Sequence, residues 1–379
     1  MRLRFVAIFV GALSLYLTSS RFSQIFHPTL IDNYVVLADA WLHGHIWVAH
    51  SELPAVDGVM YGGNYYVIEG PMPAVLMLPL VAMFGLSANQ SLVCVLAASV
   101  GVAACDLVLG RMNLEPKLRV WLVVFLGFGT VLWWCTLNPA VWMCAHVVCV
   151  MFLTLTLAEW YGRRRYWLVG FLFACAALTR FPTILAVLPF LYWTWADAED
   201  RAASVRSFLV GLAPLLVLQV LYDLARWHTP LDIGYTLFYH KDPAGSPTGY
   251  PFSLGHLPFN LYSMFFLAPA YINSFPWLKP TYQGVALTFT SPALVLALCA
   301  GKSKESTLLW LSVVLVALPD LLYYVNGFSQ FGMRHSLDFT PFLLCLAARG
   351  FSRRPDPLGF WLIGYSVVAN AFGVWSRVP

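Results

Sequence analysis

Five acidic residues, Asp32, Asp39, Glu52, Asp57 and Glu69, fall in one segment between an apolar stretch ending near Leu17 and another beginning near Ser91. Asp32 precedes Tyr34-Val-Val-Leu-Ala-Asp-Ala-Trp-Leu-His, an apolar-periodic run that stops at Gly44, so it stands where a helix N-cap would. A carboxylate there, just beyond an apolar span, is also poised to take a proton from a hydroxyl nucleophile. Asp39 shares the same helix face and reads as a second acid or a binding group. Glu69 opens Glu-Gly-Pro-Met-Pro after Tyr65-Tyr66-Val-Ile, where it either begins a turn or offers a carboxylate to a sugar or a basic partner. Tyr34 and Tyr66, beside these acids, join the substrate-binding candidates.

The cationic candidates lie further on. Arg180, in Ala-Leu-Thr-Arg-Phe-Pro-Thr, sits at a joint between two short apolar runs, and Pro182 argues for a turn there rather than a snorkelling side chain. Arg334, in Gln330-Phe-Gly-Met-Arg-His-Ser-Leu-Asp, opens a late apolar run with Asp338 four residues on. An intrahelical ion pair is one use of that spacing. A guanidinium fork on a phosphate oxygen is the other, and two arginines on one side of a membrane suit an anionic lipid headgroup. His146, His335 and Asn260 complete the set, although a lone histidine is more often a structural hydrogen-bonder.

These residues must be positioned by membrane helices. The 379 residues are 60% hydrophobic and 11% charged, with a mean hydropathy of +0.71, whereas soluble domains carry about 25% charged residues. Eleven spans are expected near 4–20, 88–110, 119–136, 143–160, 166–180, 182–196, 207–225, 285–300, 307–325, 336–349 and 358–375, in a single integral membrane domain over 1–379. With the N-terminus cytoplasmic, only Arg21, Arg180, Arg226, Lys241, Lys279, Arg334 and Arg377 of the 22 Lys and Arg lie outside, leaving 15 inside as the positive-inside rule requires. That count holds if 71–86 lies in the outer interface; with three prolines it makes a poor spanner. The run 5–18 has a signal peptide as its alternative reading. Two long outer segments, 21–87 and 226–284, are where a site would open, and the cytoplasmic loops are too short to hold a domain.

The eight cysteines lie in or at the ends of apolar runs without a CxxC pattern, and read as small buried hydrophobes. No carboxylate cluster suggests a metal. The net charge of +4 follows from the cytoplasmic loops and points to lipid headgroups, not to nucleic acid.

In this order and topology the chain resembles the GT-C superfamily of membrane glycosyltransferases, in the branch of protein O-mannosyltransferases and lipid A aminoarabinose transferases (family 39). Asp32-Asn-Tyr is similar to the Asp-Glu motif of the first outer loop, and Glu69-Gly-Pro-Met-Pro-Ala to a His/Lys-Pro-Pro-Leu turn. Leu178-Thr-Arg-Phe-Pro-Thr resembles a Leu-Thr-Lys-Gly-Pro joint, and Arg334-His-Ser-Leu-Asp-Phe-Thr-Pro-Phe-Leu-Leu an Arg-Tyr-x-Leu-Pro-x-x-Pro-Phe-Leu run. Asn33, Glu69 and His335 depart from the pattern, which bears on the sugar and on donor binding. The end at Pro379 leaves no room for the C-terminal outer domain of some relatives.

The resemblance implies an all-helical GT-C-like bundle that moves a monosaccharide from a polyprenyl phosphate to a hydroxyl acceptor, which could be a glycan, a lipid or a protein. Asp32 would be general base, with Arg180 and Arg334 at the donor phosphate. The phosphodiester leaves without a protonating acid, in-line attack inverts the anomeric centre, and because two arginines can neutralise the leaving group no cofactor or metal is required. The compact loops point to a prokaryotic source, so the expected location is the plasma (inner) membrane, with the site on the periplasmic or extracellular face. A flippase or solute transporter is the alternative; a non-catalytic scaffold is a third, requiring neither outer acid nor paired arginines.

Overall fold

A computed structural model describes residues 2–22, 29, 31–49, 57–241 and 250–376; Glu52 and Arg377 fall outside them. The chain is mostly helical. Among the described residues five helices are long and apolar enough to cross a membrane: Gln90–Arg111, Val141–Trp160, Arg201–Trp227, Lys304–Leu322 and Pro357–Ser376.

The other six expected spans are shorter or broken, for local reasons. Arg2–Ser19 and Tyr166–Ala177 are continuous but fall below spanning length by that measure. The run 119–136 divides at Gly129 into Pro116–Phe128 and Leu132–Leu137. The other three each contain a 3-10 segment: Phe181–Ala186 before Val187–Asp197, Pro292–Cys299 after the short helix Leu287–Thr290, and Arg334–Asp338 before Thr340–Arg353. Pro182, Pro292 and Pro341 sit at the first positions of these pieces, where the missing N–H forbids continuation of the preceding helix. Met72–Phe84 runs for 13 residues with Pro79 inside. At 1.5 Å per residue that is about 20 Å, short of a hydrocarbon core of roughly 30 Å.

With lipid outside, packing between helices relies on close approach rather than on expulsion of water. A Cβ on Gly170 would collide with the carbonyl of Phe208, and one on Gly211 with the carbonyl of Trp167, so Tyr166–Ala177 and Arg201–Trp227 touch backbone to backbone. Seven cysteines are buried in the bundle; Cys299, at the end of its 3-10 turn, is exposed instead.

Charged groups mark the two ends of the bundle. At one end Arg4 and Arg119 both pair with buried Asp106, Arg165 with Glu159 at 2.9 Å, Lys304 with Asp197, and Arg349 with Glu305. These residues come from starts and ends of successive helices, so those helices alternate in direction. At the other end lie the two long connections expected from the sequence.

The first of them holds the helix Asn33–Leu42, a hairpin pairing Gly58–Tyr61 with Asn64–Val67, and Met72–Phe84. The hairpin closes through Gly62 and Gly63, both at positive φ, as a tight two-residue hairpin turn demands. The second holds the helices Gly234–Lys241 and Leu257–Phe265 and the short pair Ala270–Tyr271 with Leu278–Lys279.

Candidate active site

A cavity of about 440 Å³ opens where these two connections meet the helix ends. Its charged and imidazole side chains come from helix ends and from the breaks in the bundle. Arg180 precedes the 3-10 turn Phe181–Ala186, Asp320 lies in the last turn of Lys304–Leu322, His335 and Arg334 begin the 3-10 turn Arg334–Asp338, and His146 lies in the second turn of Val141–Trp160. Asp57 is delivered by the residue before the hairpin, at φ +53.

Arg180 is held on several sides. Its Nε donates to Asp338 Oδ2 at 2.9 Å and its Nη2 to Asp320 Oδ1 at 3.3 Å. Asp338 also meets His146 Nδ1 at 2.7 Å. His335 Nδ1 lies 3.1 Å from Arg180 Nη2 and 3.2 Å from Asp320 Oδ1, and it can accept from the first or donate to the second, not both. The two imidazole rings meet edge to face at 5.1 Å. Asp338 is fully buried, and a buried carboxylate must be paired and hydrogen-bonded to be tolerated.

Arg334 is different. It is 6% exposed, and its Nη1 donates to the carbonyl of Phe328 at 3.2 Å and to Gln330 Oε1 at 3.1 Å. No carboxylate pairs with it among the described residues, its Nε has no acceptor, and its guanidinium lies 6.0 Å from the Trp142 ring centre. Burial pulls its pKa down from the ordinary value, with Arg180 adding to the effect. The Arg334–Asp338 ion pair allowed by the spacing does not form, because Asp338 is taken by Arg180 and His146.

Asp57 accepts a hydrogen bond from Trp142 Nε1. Burial pushes its carboxyl above the usual range, while the Trp142 bond and the field of Arg334 oppose the shift. Behind it Glu69 is 4% exposed, and burial, then the neighbouring Asp57, drives its pKa well up. Two carboxyl groups so close in a dry setting cannot both ionise readily, so Glu69 is the one kept protonated.

Gly70 brings this loop to the Arg180 joint. A Cβ there would strike the carbonyl oxygen of Leu178 and lie 2.8 Å from that of Thr179, and the Met72 N–H donates to the Leu178 carbonyl at 3.3 Å. The remaining walls are aromatic, including Trp142, Tyr235, Tyr239, Phe252, Tyr282 and Tyr323. The Tyr239 and Tyr323 hydroxyls meet at 2.6 Å.

Of the residues singled out from the sequence, Arg180, Arg334, His146 and His335 line this cavity. Asp32, Tyr34, Asp39, Tyr66, Glu69 and Asn260 do not. Asp32 occupies the N-cap position of Asn33–Leu42 without making the capping bond. Asp39 faces His43 at 3.3 Å. Tyr34 is buried, Tyr66 packs at a tilt against Trp227 with ring centres 5.0 Å apart, and Asn260 donates to the carbonyls of Leu321 and Tyr323 at 2.9 and 2.7 Å, tying the second connection to the helix end.

Asp320 escaped the sequence reading, although an ionisable residue in an apolar run was the signal for it. Asp57 was visible as an acid but had no motif to single it out. No group of three or more His, Cys, Asp or Glu able to hold a metal ion occurs among the described residues; the acidic cluster has the Arg180 guanidinium at its centre. No protein family model, curated protein or solved structure matches this chain.

Proposed function

We propose that the protein is a membrane glycosyltransferase that moves a monosaccharide from a polyprenyl phosphate to a hydroxyl acceptor, with inversion. The observation that carries this reading is the cavity's pairing of a buried guanidinium lacking a carboxylate, Arg334, with a carboxylate from the first outer connection, Asp57. A buried cation without a counter-ion is costly, and a phosphodiester monoanion supplies the missing charge with forked hydrogen bonds.

In the reaction the acceptor oxygen attacks the anomeric carbon while the bond from that carbon to the phosphate oxygen breaks. The proton of the acceptor passes to Asp57, and the electron pair leaves with the polyprenyl phosphate, whose charge Arg334 stabilises. Asp57 thus takes the role that the motif resemblance gave to Asp32, because it is Asp57 that lines the cavity. Arg180, whose charge Asp320 and Asp338 already offset, orients the pocket more than it binds the phosphate. The aromatic walls suit sugar faces and an isoprenoid chain.

The GT-C resemblance, the eleven crossings and an outer-face site belong to the same proposal. Chain breaks at Phe181–Ala186 and Arg334–Asp338 beside the cavity favour one rival, a transporter of the same lipid-linked sugar, since transporters bind substrate at broken helices. Purified protein in lipid vesicles, offered a panel of labelled polyprenyl-phosphate monosaccharides with glycan, lipid and peptide acceptors, separates the two. Label joined to an acceptor supports transfer. Label crossing the bilayer with its phosphate bond intact supports transport.

A further inference from the structure

A second pocket, of about 600 Å³, lies at the opposite end of the bundle. Its walls present Arg111, Arg164, Lys304, Arg349 and Arg353 against the carboxylates Asp197 and Glu305 alone, a surplus of three positive charges. Lys304 is committed to Asp197 and Arg349 to Glu305. Arg111 and Arg353 have no carboxylate partner among the described residues; each is oriented by donating to a carbonyl at a helix end, Ala158 and Ala300 respectively. Ser303 and Ser352 add hydroxyls to the same walls.

An apolar groove of about 490 Å³ begins at the same Lys304 and runs between Val187–Asp197 and Lys304–Leu322, lined by Leu188, Pro189, Tyr192, Leu308, Leu311 and Leu315. Leu188, Tyr192 and Leu311 are exposed along it. From Lys304 to Leu315 the helix rises roughly 16 Å at 1.5 Å per residue, about half of a hydrocarbon core of roughly 30 Å. An anion pocket continuous with an apolar channel one leaflet long is the outline of an amphiphile.

We propose that this end of the protein binds a phosphate-headed lipid, its phosphate between Arg111 and Arg353 and one chain in the groove against Leu188 and Leu311. Basic pockets between membrane helices take anionic headgroups, each cation near the surface adding to the attraction. A glycerophospholipid and a polyprenyl phosphate share this chemistry. The site is separate from the cavity at Arg334 and does not depend on the proposed transfer reaction.

The test is lipid retention by the full chain, followed by native mass spectrometry of purified protein titrated with phosphatidylglycerol, phosphatidylcholine, a polyprenyl phosphate and glycerol 3-phosphate. Phosphatidylglycerol or polyprenyl phosphate should bind at least about tenfold more tightly than phosphatidylcholine, and the tighter of the two names the source. The double variant Arg111→Gln/Arg353→Gln should lose about tenfold in affinity for the anionic lipid. Leu311→Trp, at an exposed position, fills the groove and should weaken the lipid while sparing glycerol 3-phosphate. Should the arginine double variant fail to fold, the single variants Arg111→Gln and Arg353→Gln, with Leu311→Trp, carry the same test. Equal binding of phosphatidylcholine and phosphatidylglycerol would overturn the proposal. So would lipid affinity unchanged in the variants, or glycerol 3-phosphate binding as tightly as the lipid.

Discussion

Arg180 Nε meets Asp338 Oδ2 at 2.9 Å across 158 residues of sequence, and this contact fixes the late 3-10 turn against the joint in the middle of the chain. Asp338 offers its other oxygen to His146, so three separate chain segments close on one carboxylate. Removing Asp338 leaves Arg180 paired with Asp320 alone and strips Arg180 Nε and His146 Nδ1 of their buried acceptor, and an unsatisfied buried polar group costs about 1–3 kcal/mol, more where it is charged. Asp338→Ala should therefore lower thermal stability markedly in lipid vesicles. Asp338→Asn keeps an acceptor and should lose less, a difference read directly by the two melting temperatures.

Arg334 has no such partner, and its loss should act on donor binding more than on folding. Arg334→Gln removes charged hydrogen bonds worth about 1.5–3 kcal/mol. The concentration of polyprenyl-phosphate sugar needed for half-maximal turnover should rise by roughly 10- to 100-fold, with a melting temperature that does not fall. A melting temperature lowered as far as in Asp338→Ala, with unchanged donor dependence, would give Arg334 a structural role instead.

The pH dependence follows from Asp57. Burial raises its carboxyl, so the acid limb of transfer should lie above the ordinary aspartate value of about 4. The Trp142 hydrogen bond stabilises the ionised form and pulls the pKa back down. Trp142→Phe removes that donor, raises the pKa and should move the acid limb to higher pH. A limb that stays in place, or moves down, would mean that another group titrates.

Much of the site could be read in advance and part could not. Arg180 and Arg334 stand out because a charge in an apolar run is conspicuous, and Pro182 announced the break beside the first of them. What spacing could not convey is that Asp320 and Asp338 occupy Arg180 and leave Arg334 alone, since those partners come together only through packing between distant segments. The same limit applies to the acids of the first outer connection. Asp32 lay in the most motif-like context, yet the cavity receives Asp57, because the hairpin turn at Gly62-Gly63 and the contact at Gly70 set how that segment folds back. The apolar runs themselves were legible, but hydropathy did not register where they break, at Gly129 in one run and beside Pro182, Pro292 and Pro341 in three others.

Gly70 carries its own prediction. Its Cα lies against the carbonyls of Leu178 and Thr179, main-chain atoms that cannot swing aside as a side-chain end would. Gly70→Ala should push the loop bearing Asp57 away from the Arg180 joint, and a displacement of about 1 Å at a reacting geometry can cost 10²-fold in rate. Turnover should fall by about that factor while donor binding at Arg334 changes little; loss of both together would place the disturbance in the fold.

Sugar transfer in the cavity lined by Asp57 and Arg334 is read from product formation with a labelled polyprenyl-phosphate monosaccharide by the purified protein, its Asp57→Asn variant and its Asp32→Asn variant. A positioned general base contributes about 10²- to 10⁴-fold. The wild type should release polyprenyl phosphate with label joined to the acceptor, Asp57→Asn should lose at least 10²-fold, and Asp32→Asn should stay within a fewfold of wild type. Loss confined to Asp32→Asn would move the base out of the cavity, and a wild-type protein that transfers none of the donors would rule out sugar transfer there.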